Sequence, residues 1–297
     1  MKKRELNVDL IPSIRRLQIG LKGRVATQIG GEYKSIFKGK GLVFADYRDY
    51  TLDDDASLID WKATARSDRV LVREYEEERK LNVFFLVDVS SSMLFGSTKR
   101  LKNEYALELA SSLAYVILNT GDKVGFAAFS EEATKKFLPE ANKTQYYILT
   151  RNLIQADIYG GSFNFKNAIN FLISFLKTKS LVFIVSDFLN LKNAWQEEIK
   201  VASKKHDIIA LMIRDPIDET LPLEDMQVLI SDPHSYRKML INPLLIKERY
   251  EDYNRKQKKE MERIFIEASV DLVELKTSES FVKPIINLFK RRYEQWR

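Results

Sequence analysis

Asp88, Ser90 and Ser92 stand at alternate positions in Asp88-Val89-Ser90-Ser91-Ser92, directly after the apolar run Val83–Val87. One carboxylate and two hydroxyls at that spacing offer only oxygen atoms, a donor set that suits a hard cation such as Mg2+ or Mn2+. Hydroxyl ligands are neutral, so a divalent ion held by them keeps most of its charge and still attracts a carboxylate from outside. A plainer reading of the same residues is a serine-rich turn in which Ser90–Ser92 cap the next helix.

Bond-breaking chemistry finds little to work with. A phosphatase of the haloacid dehalogenase type needs a second Asp two residues after the first, where this chain has Ser90. There is no G-x-x-x-x-G-K-[ST] loop for a nucleotide and no G-x-S-x-G. With no Cys and only His206 and His234, the second in a turn and both expected exposed, a structural zinc site is not expected. The expectation is a protein that is not an enzyme, with a metal-dependent hydrolase as an alternative.

The elements that would position these residues are legible in the chain. A short, unbroken apolar run such as Val83–Val87 is the mark of a strand buried on both faces, and open α/β sheets bind ligands at the carboxyl ends of such strands. Leu101–Leu118 reads as a helix with Leu101, Tyr105, Leu109, Leu113 and Val116 on one face, ended by Gly121-Asp122. Lys123–Phe129 is a strand, and Ser130–Ala133 is long enough only for a hairpin, so Thr134–Leu138 pairs with it antiparallel. Helices follow over Lys143–Gln155, Lys166–Leu176 and Trp195–Lys205, with strands at Ser180–Ser186 and Ile208–Ile213. Residues 214–268 break the alternation with a hairpin, Gln227–Ser231 and Tyr236–Ile241 around Asp232-Pro233-His234, and a long charged helix, Pro243–Ala268. Val270–Leu275 and Ser280–Arg292 supply a last strand and helix. The order implies one doubly wound α/β domain over residues 81–297, preceded by a small subdomain over residues 1–80.

In that first part, Leu10, Ile14, Leu17 and Leu21 give a helical pattern, Gly30-Gly31 interrupts it, and Lys34–Lys40 reads as exposed loop. Asp54, Asp55 and Asp60 could form a second cation site. The reading preferred is a network with Arg48, Arg66 and Arg73 that fixes a loop, with Trp61 as an anchor against the sheet.

Composition sets the outer bounds. The 297 residues are 45% hydrophobic and 30% charged, an ordinary globular balance. No apolar stretch approaches the roughly 18 residues of a membrane span. The basic start Met1-Lys2-Lys3-Arg4 is followed by no apolar run, so no secretory signal is expected. The absence of Cys points to a reducing, cytoplasmic setting. The net charge of +6 is concentrated at the ends: residues 1–40 carry ten Lys/Arg against three acids, and Lys283–Arg297 carries five against one. Without a basic-aromatic repeat to stack bases, a solvated face or a patch for an acidic protein explains this better than nucleic acid. A nucleic-acid-binding accessory protein remains the alternative.

Two resemblances add to this reading. Asp88-x-Ser90-x-Ser92 resembles the metal-ion-dependent adhesion site of von Willebrand factor A domains. There a threonine from a second loop and an aspartate from a third complete the site. The matching positions are Ser162, in Gly160-Gly161-Ser162, where serine replaces threonine, and Asp187, at the end of Phe183–Asp187. The resemblance implies metal: Asp88, Ser90, Ser92, Ser162 and Asp187, with the carboxylates acting largely through water and a partner's Asp or Glu completing the coordination. It also implies a mostly parallel sheet of von Willebrand A type with one antiparallel edge strand. The stretch Gly41–Asp55, followed by Ile59-Asp60-Trp61 and Ala65-Arg66, resembles the signature of the bacterial domain-of-unknown-function 58 family. Departures are Val43 for Glu, Asp53 for Gly and Ser57 for Arg. Members of that family are associated with MoxR-type AAA+ ATPases. The resemblance therefore implies an adaptor or co-chaperone that meets such an ATPase, or its client, through an acidic side chain.

Overall fold

The computed structural model describes residues 5–22, 42–51, 54–77, 80–189, 191, 195–222, 227–231 and 238–294. Two compact units emerge, Thr27–Lys80 on one hand and Met1–Ala26 with Leu81–Arg297 on the other. In sequence the units meet between Lys80 and Leu81, and helix α1 (Ile11–Lys22) belongs to the larger unit rather than to a subdomain over residues 1–80. The cause is packing: Leu17 is fully buried and the Ser13 hydroxyl donates to the buried Glu108 carboxylate. Gly30-Gly31, Lys34–Lys40 and the Asp232-Pro233-His234 turn lie outside the described residues.

In the smaller unit, β1 (Leu42–Asp49) and β2 (Leu71–Glu77) form an antiparallel pair. Of the expected network, Asp54 and Asp60 pair with Arg48 and Arg73, whereas Asp55 accepts the Ser57 N–H and, among the described residues, no ion pair joins Arg66 to these carboxylates. Arg48 grips Asp54 with both terminal nitrogens, and Thr51 gives Asp54 its N–H at 2.8 Å and its hydroxyl at 2.9 Å. Asp60 caps the one-turn helix α2 (Trp61–Thr64) through the N–H groups of Lys62 and Ala63, and accepts from Arg73 Nε at 2.8 Å. Those bonds hold the Asp54 and Asp60 carboxyls below the usual carboxylate range, the Arg48 bond leading in the first case and the Arg73 bond in the second. Trp61 does not act as the expected anchor. As the first residue of α2 it points outward and is 69% exposed.

The larger unit is built on a six-stranded sheet. Its strands are β3 (Asn82–Asp88), β4 (Lys123–Phe129), β5 (Ala133–Glu140), β6 (Leu181–Ser186), β7 (Asp207–Arg214) and β10 (Asp271–Lys276), in the order β10-β7-β6-β3-β4-β5. All neighbours are parallel except β4 and β5. This is the doubly wound arrangement expected, with one antiparallel edge strand. Gly125 allows that edge to close in, because a Cβ there would meet the Pro139 nitrogen at 2.6 Å and the Phe137 carbonyl oxygen at 2.7 Å. Irregular register on either side of the pair bends β5 along β4.

Alternating residues of the central strands face two helical layers. On one side Phe84 and Leu86 pack with α5 (Phe165–Phe175), α6 (Gln196–Lys205) and α8 (Pro243–Glu267). On the other side α3 (Lys102–Asn119) packs against the sheet and α1, while Phe289 of α9 (Val282–Glu294) reaches Phe183. Gly121, at φ 88, turns the chain out of α3 as expected, and α4 (Thr144–Leu153) packs on that helix. His206, expected exposed, is 2% exposed because it enters β7, and burial lowers its pKa. The excursion contains the short helix α7 (Pro216–Glu219) and a separate hairpin, β8 (Val228–Ser231) with β9 (Lys238–Ile241). Both faces of that hairpin are apolar and open: paired Leu229 and Leu240 are 60% and 58% exposed, paired Ile230 and Met239 43% and 62%. No described helix is long and apolar enough to cross a membrane.

Candidate metal centre

The chain leaves β3 toward β4 on one side and later returns to lay β6 on the other. The carboxyl ends of β3 and β6 therefore flank the crevice where the strand order reverses, the place where open α/β sheets bind ligands. Asp88 ends β3, and Asp187 directly follows β6.

Asp88 is buried and tightly held. Its Oδ1 accepts the Ser90 N–H at 2.8 Å, and its Oδ2 accepts the Ser186 hydroxyl at 2.6 Å. Burial, with the Asp187 charge second, pushes the Asp88 carboxyl up to about 7 despite those bonds. Beyond it, the hydroxyls of Ser90 and Ser92 lie 3.1 Å apart. An octahedral Mg2+ with bonds of about 2.0–2.1 Å places neighbouring ligand oxygens about 3 Å apart, so the serine pair fits two adjacent corners.

Asp187 leaves β6 on a turn in which Phe188 takes φ 49, a left-handed value costly for a bulky residue. The Phe188 ring is held in place by Phe165 and Phe265, at centroid distances of 5.5 Å each. Asp187 Oδ1 accepts the Leu189 N–H at 3.1 Å. Its Oδ2 is taken by a residue the sequence reading did not single out, Lys102, whose Nζ donates at 2.6 Å and also reaches Asp218 Oδ2 at 3.2 Å. Burial alone would lower the Lys102 pKa, but the charges of Asp187 and Asp218 outweigh it and raise it, so the ammonium is retained. Lys102 opens α3, where the helix dipole is unfavourable to a cation, so the two carboxylates are what hold it there.

The loop carrying Ser162 is brought to the site by its backbone. Gly160 N–H donates to the Val89 carbonyl at 2.8 Å, and Ser91 N–H donates to the Gly161 carbonyl at 2.9 Å. Gly160 and Gly161, at φ 156 and 75, supply the turn. The Ser162 hydroxyl itself donates to Glu131. The structure thus gathers Asp88, Ser90 and Ser92 into one donor group, sets Asp187 beside it on Lys102, and directs Ser162 elsewhere. Among the described residues no three His, Cys, Asp or Glu side chains converge as a metal-ligand group, so a cation here would depend on the serine oxygens.

Residues 46–260 match the family model described as protein of unknown function DUF58. An uncharacterized protein of Mycobacterium tuberculosis, Rv1480, is 24% identical over 243 residues, spanning 80% of this chain and 75% of its own. Among solved structures, the conserved hypothetical protein BatB from Bacteroides thetaiotaomicron covers 72% of this chain and 99% of its own with a TM-score of 0.50 and 20% identity. The SpRpn10 VWA domain covers 69% and 93% with a TM-score of 0.37 and 10% identity.

Proposed function

The chain belongs to the DUF58 family, and we propose that it serves as a divalent-ion-dependent protein-interaction module that performs no bond chemistry of its own. The observation that carries this reading is the Ser90–Ser92 hydroxyl pair, set at octahedral spacing beside Asp88 in the strand-end crevice. Asp88, Ser90 and Ser92 would hold Mg2+ or Mn2+. Asp187 would join through water or by sharing its carboxylate with Lys102, and Ser162 would join by exchanging Glu131 for the ion. Held there, the ion would offer an electrophilic coordination position to an acidic side chain of another protein. The β8–β9 hairpin supports the reading, since apolar side chains open on both faces are typical of protein-binding surfaces.

The partner proposed is a MoxR-type AAA+ ATPase or its client, with this chain as adaptor or co-chaperone. Capture of such an ATPase by the full chain should need Mg2+, fail in EDTA and fail for Ser90→Ala/Ser92→Ala. Binding of a nucleic acid that tolerates EDTA and fades with salt would instead favour the nucleic-acid alternative, because phosphate contacts are salt-dependent.

A further inference from the structure

A cavity of ≈ 750 Å³ lies between the carboxyl ends of β6 and β7 and the helix α8. That volume is in the usual range for small-molecule sites. Its apolar wall is formed by Phe188, Leu191, Trp195, Met261 and Ile264. Arg214, the last residue of β7, also lines it, only 8% exposed, and its Nε has no acceptor. Most acids around the cavity lie in ion pairs with other cations, although Asp218 shares Lys102 with Asp187 and also feels the Arg214 charge from beyond ion-pair distance. Asp218 is held by Lys102, Glu219 by Lys276 and Lys258, Glu251 by Lys247, and Glu260 by Arg263. Among the described residues no carboxylate lies within ion-pair distance of Arg214. A guanidinium stays charged at any ordinary pH, and a buried charged donor without an acceptor is costly to keep.

We propose that this cavity binds an organic anion, its charged head on the Arg214 guanidinium and its apolar body against Trp195 and Met261. The proposal stands apart from the divalent-ion reading, since it uses none of the serine hydroxyls.

The test titrates 8-anilinonaphthalene-1-sulfonate into the full chain and follows energy transfer from tryptophan, with Trp195→Phe assigning the donor. Saturable binding is expected, weakened about tenfold or more by Arg214→Gln, the loss typical of a hydrogen bond to a charged group. The uncharged N-phenyl-1-naphthylamine should bind both proteins alike. Equal sulfonate affinity in the two proteins would overturn the proposal. So would a fall in the urea midpoint of Arg214→Gln with unchanged affinity, which would make Arg214 a structural counter-charge to Asp218. Should Arg214→Gln not fold, competition on the wild type decides: benzoate should displace the probe and benzyl alcohol should not, and equal displacement by both would refute an anion site.

Discussion

Lys102 Nζ lies 2.6 Å from Asp187 Oδ2, with both side chains almost wholly buried. The ammonium thus contacts a carboxylate that would otherwise be free to face a divalent ion, and bridges it to Asp218 at 3.2 Å. Removing one partner of a buried pair leaves the other uncompensated. Lys102→Met should therefore destabilise the protein by about 3–5 kcal/mol. In this variant Mg2+ should recover a larger share of stability than it adds to the wild type, because the ion can take over Asp187. Urea titrations with and without Mg2+ check both points, and a variant that unfolds at the wild-type midpoint would show that the pair contributes nothing.

Mg2+ or Mn2+ should raise the melting temperature of the wild type. A ligand bound only by the native state adds about 2.7 kcal/mol at a hundredfold excess over its Kd. Ser90→Ala/Ser92→Ala should lose that increment while folding normally without metal. A wild-type melting curve indifferent to millimolar amounts of either ion would end the metal reading.

Asp88 gives the pH dependence. Its carboxyl is raised to about 7 in the folded chain, chiefly by burial, so between about pH 4 and 7 the native state holds a proton that the unfolded state releases. In EDTA, stability should fall as pH rises through that window. Asp88→Asn should flatten the slope and leave the protein at least as stable at pH 8. Asp218, also raised by burial, acts in the same direction in both proteins, so the comparison isolates Asp88. Paired urea midpoints at pH 5 and 8 measure it, and parallel slopes would contradict the assignment. The same substitution should shrink Mg2+ stabilisation and weaken partner capture more than it affects folding.

Leu229→Ser/Leu240→Ser tests the hairpin. Both side chains are exposed, so the substitution should change stability by no more than about 0.5 kcal/mol per site. Partner capture should nevertheless drop, as seen in the same Mg2+-dependent pull-down. Undiminished capture would exclude the hairpin from the interface.

Much of this architecture is legible in the sequence because the decisive signals are local. β3 and β6 are short apolar runs, and each delivers a carboxylate at its end, so Asp88 and Asp187 can be placed without coordinates. Ser130–Ala133 is too short for a crossover, which fixes β5 as antiparallel. The rest depends on residues far apart in the chain. Lys102 lies three residues before Tyr105 on the helix face read as buried, yet its charge argues for solvent. Only its partners, 85 and 116 residues away, explain its burial. β1 escapes notice because Asp46, Arg48 and Asp49 hide its alternation. Trp61 and His206 were expected in reversed environments, since residue type suggested burial for one and exposure for the other. An N-terminal helical position and a strand entrance decided otherwise.

The bent edge strand limits how a partner can arrive. An outermost strand is ordinarily an invitation, a row of amides and carbonyls onto which an extended peptide can zip. Here Pro139 withholds an amide, Lys135 and Lys136 put charge along the strand, and the irregular register curls it against Gly125. A guest offering only backbone finds no regular ladder to lengthen at this margin of the sheet.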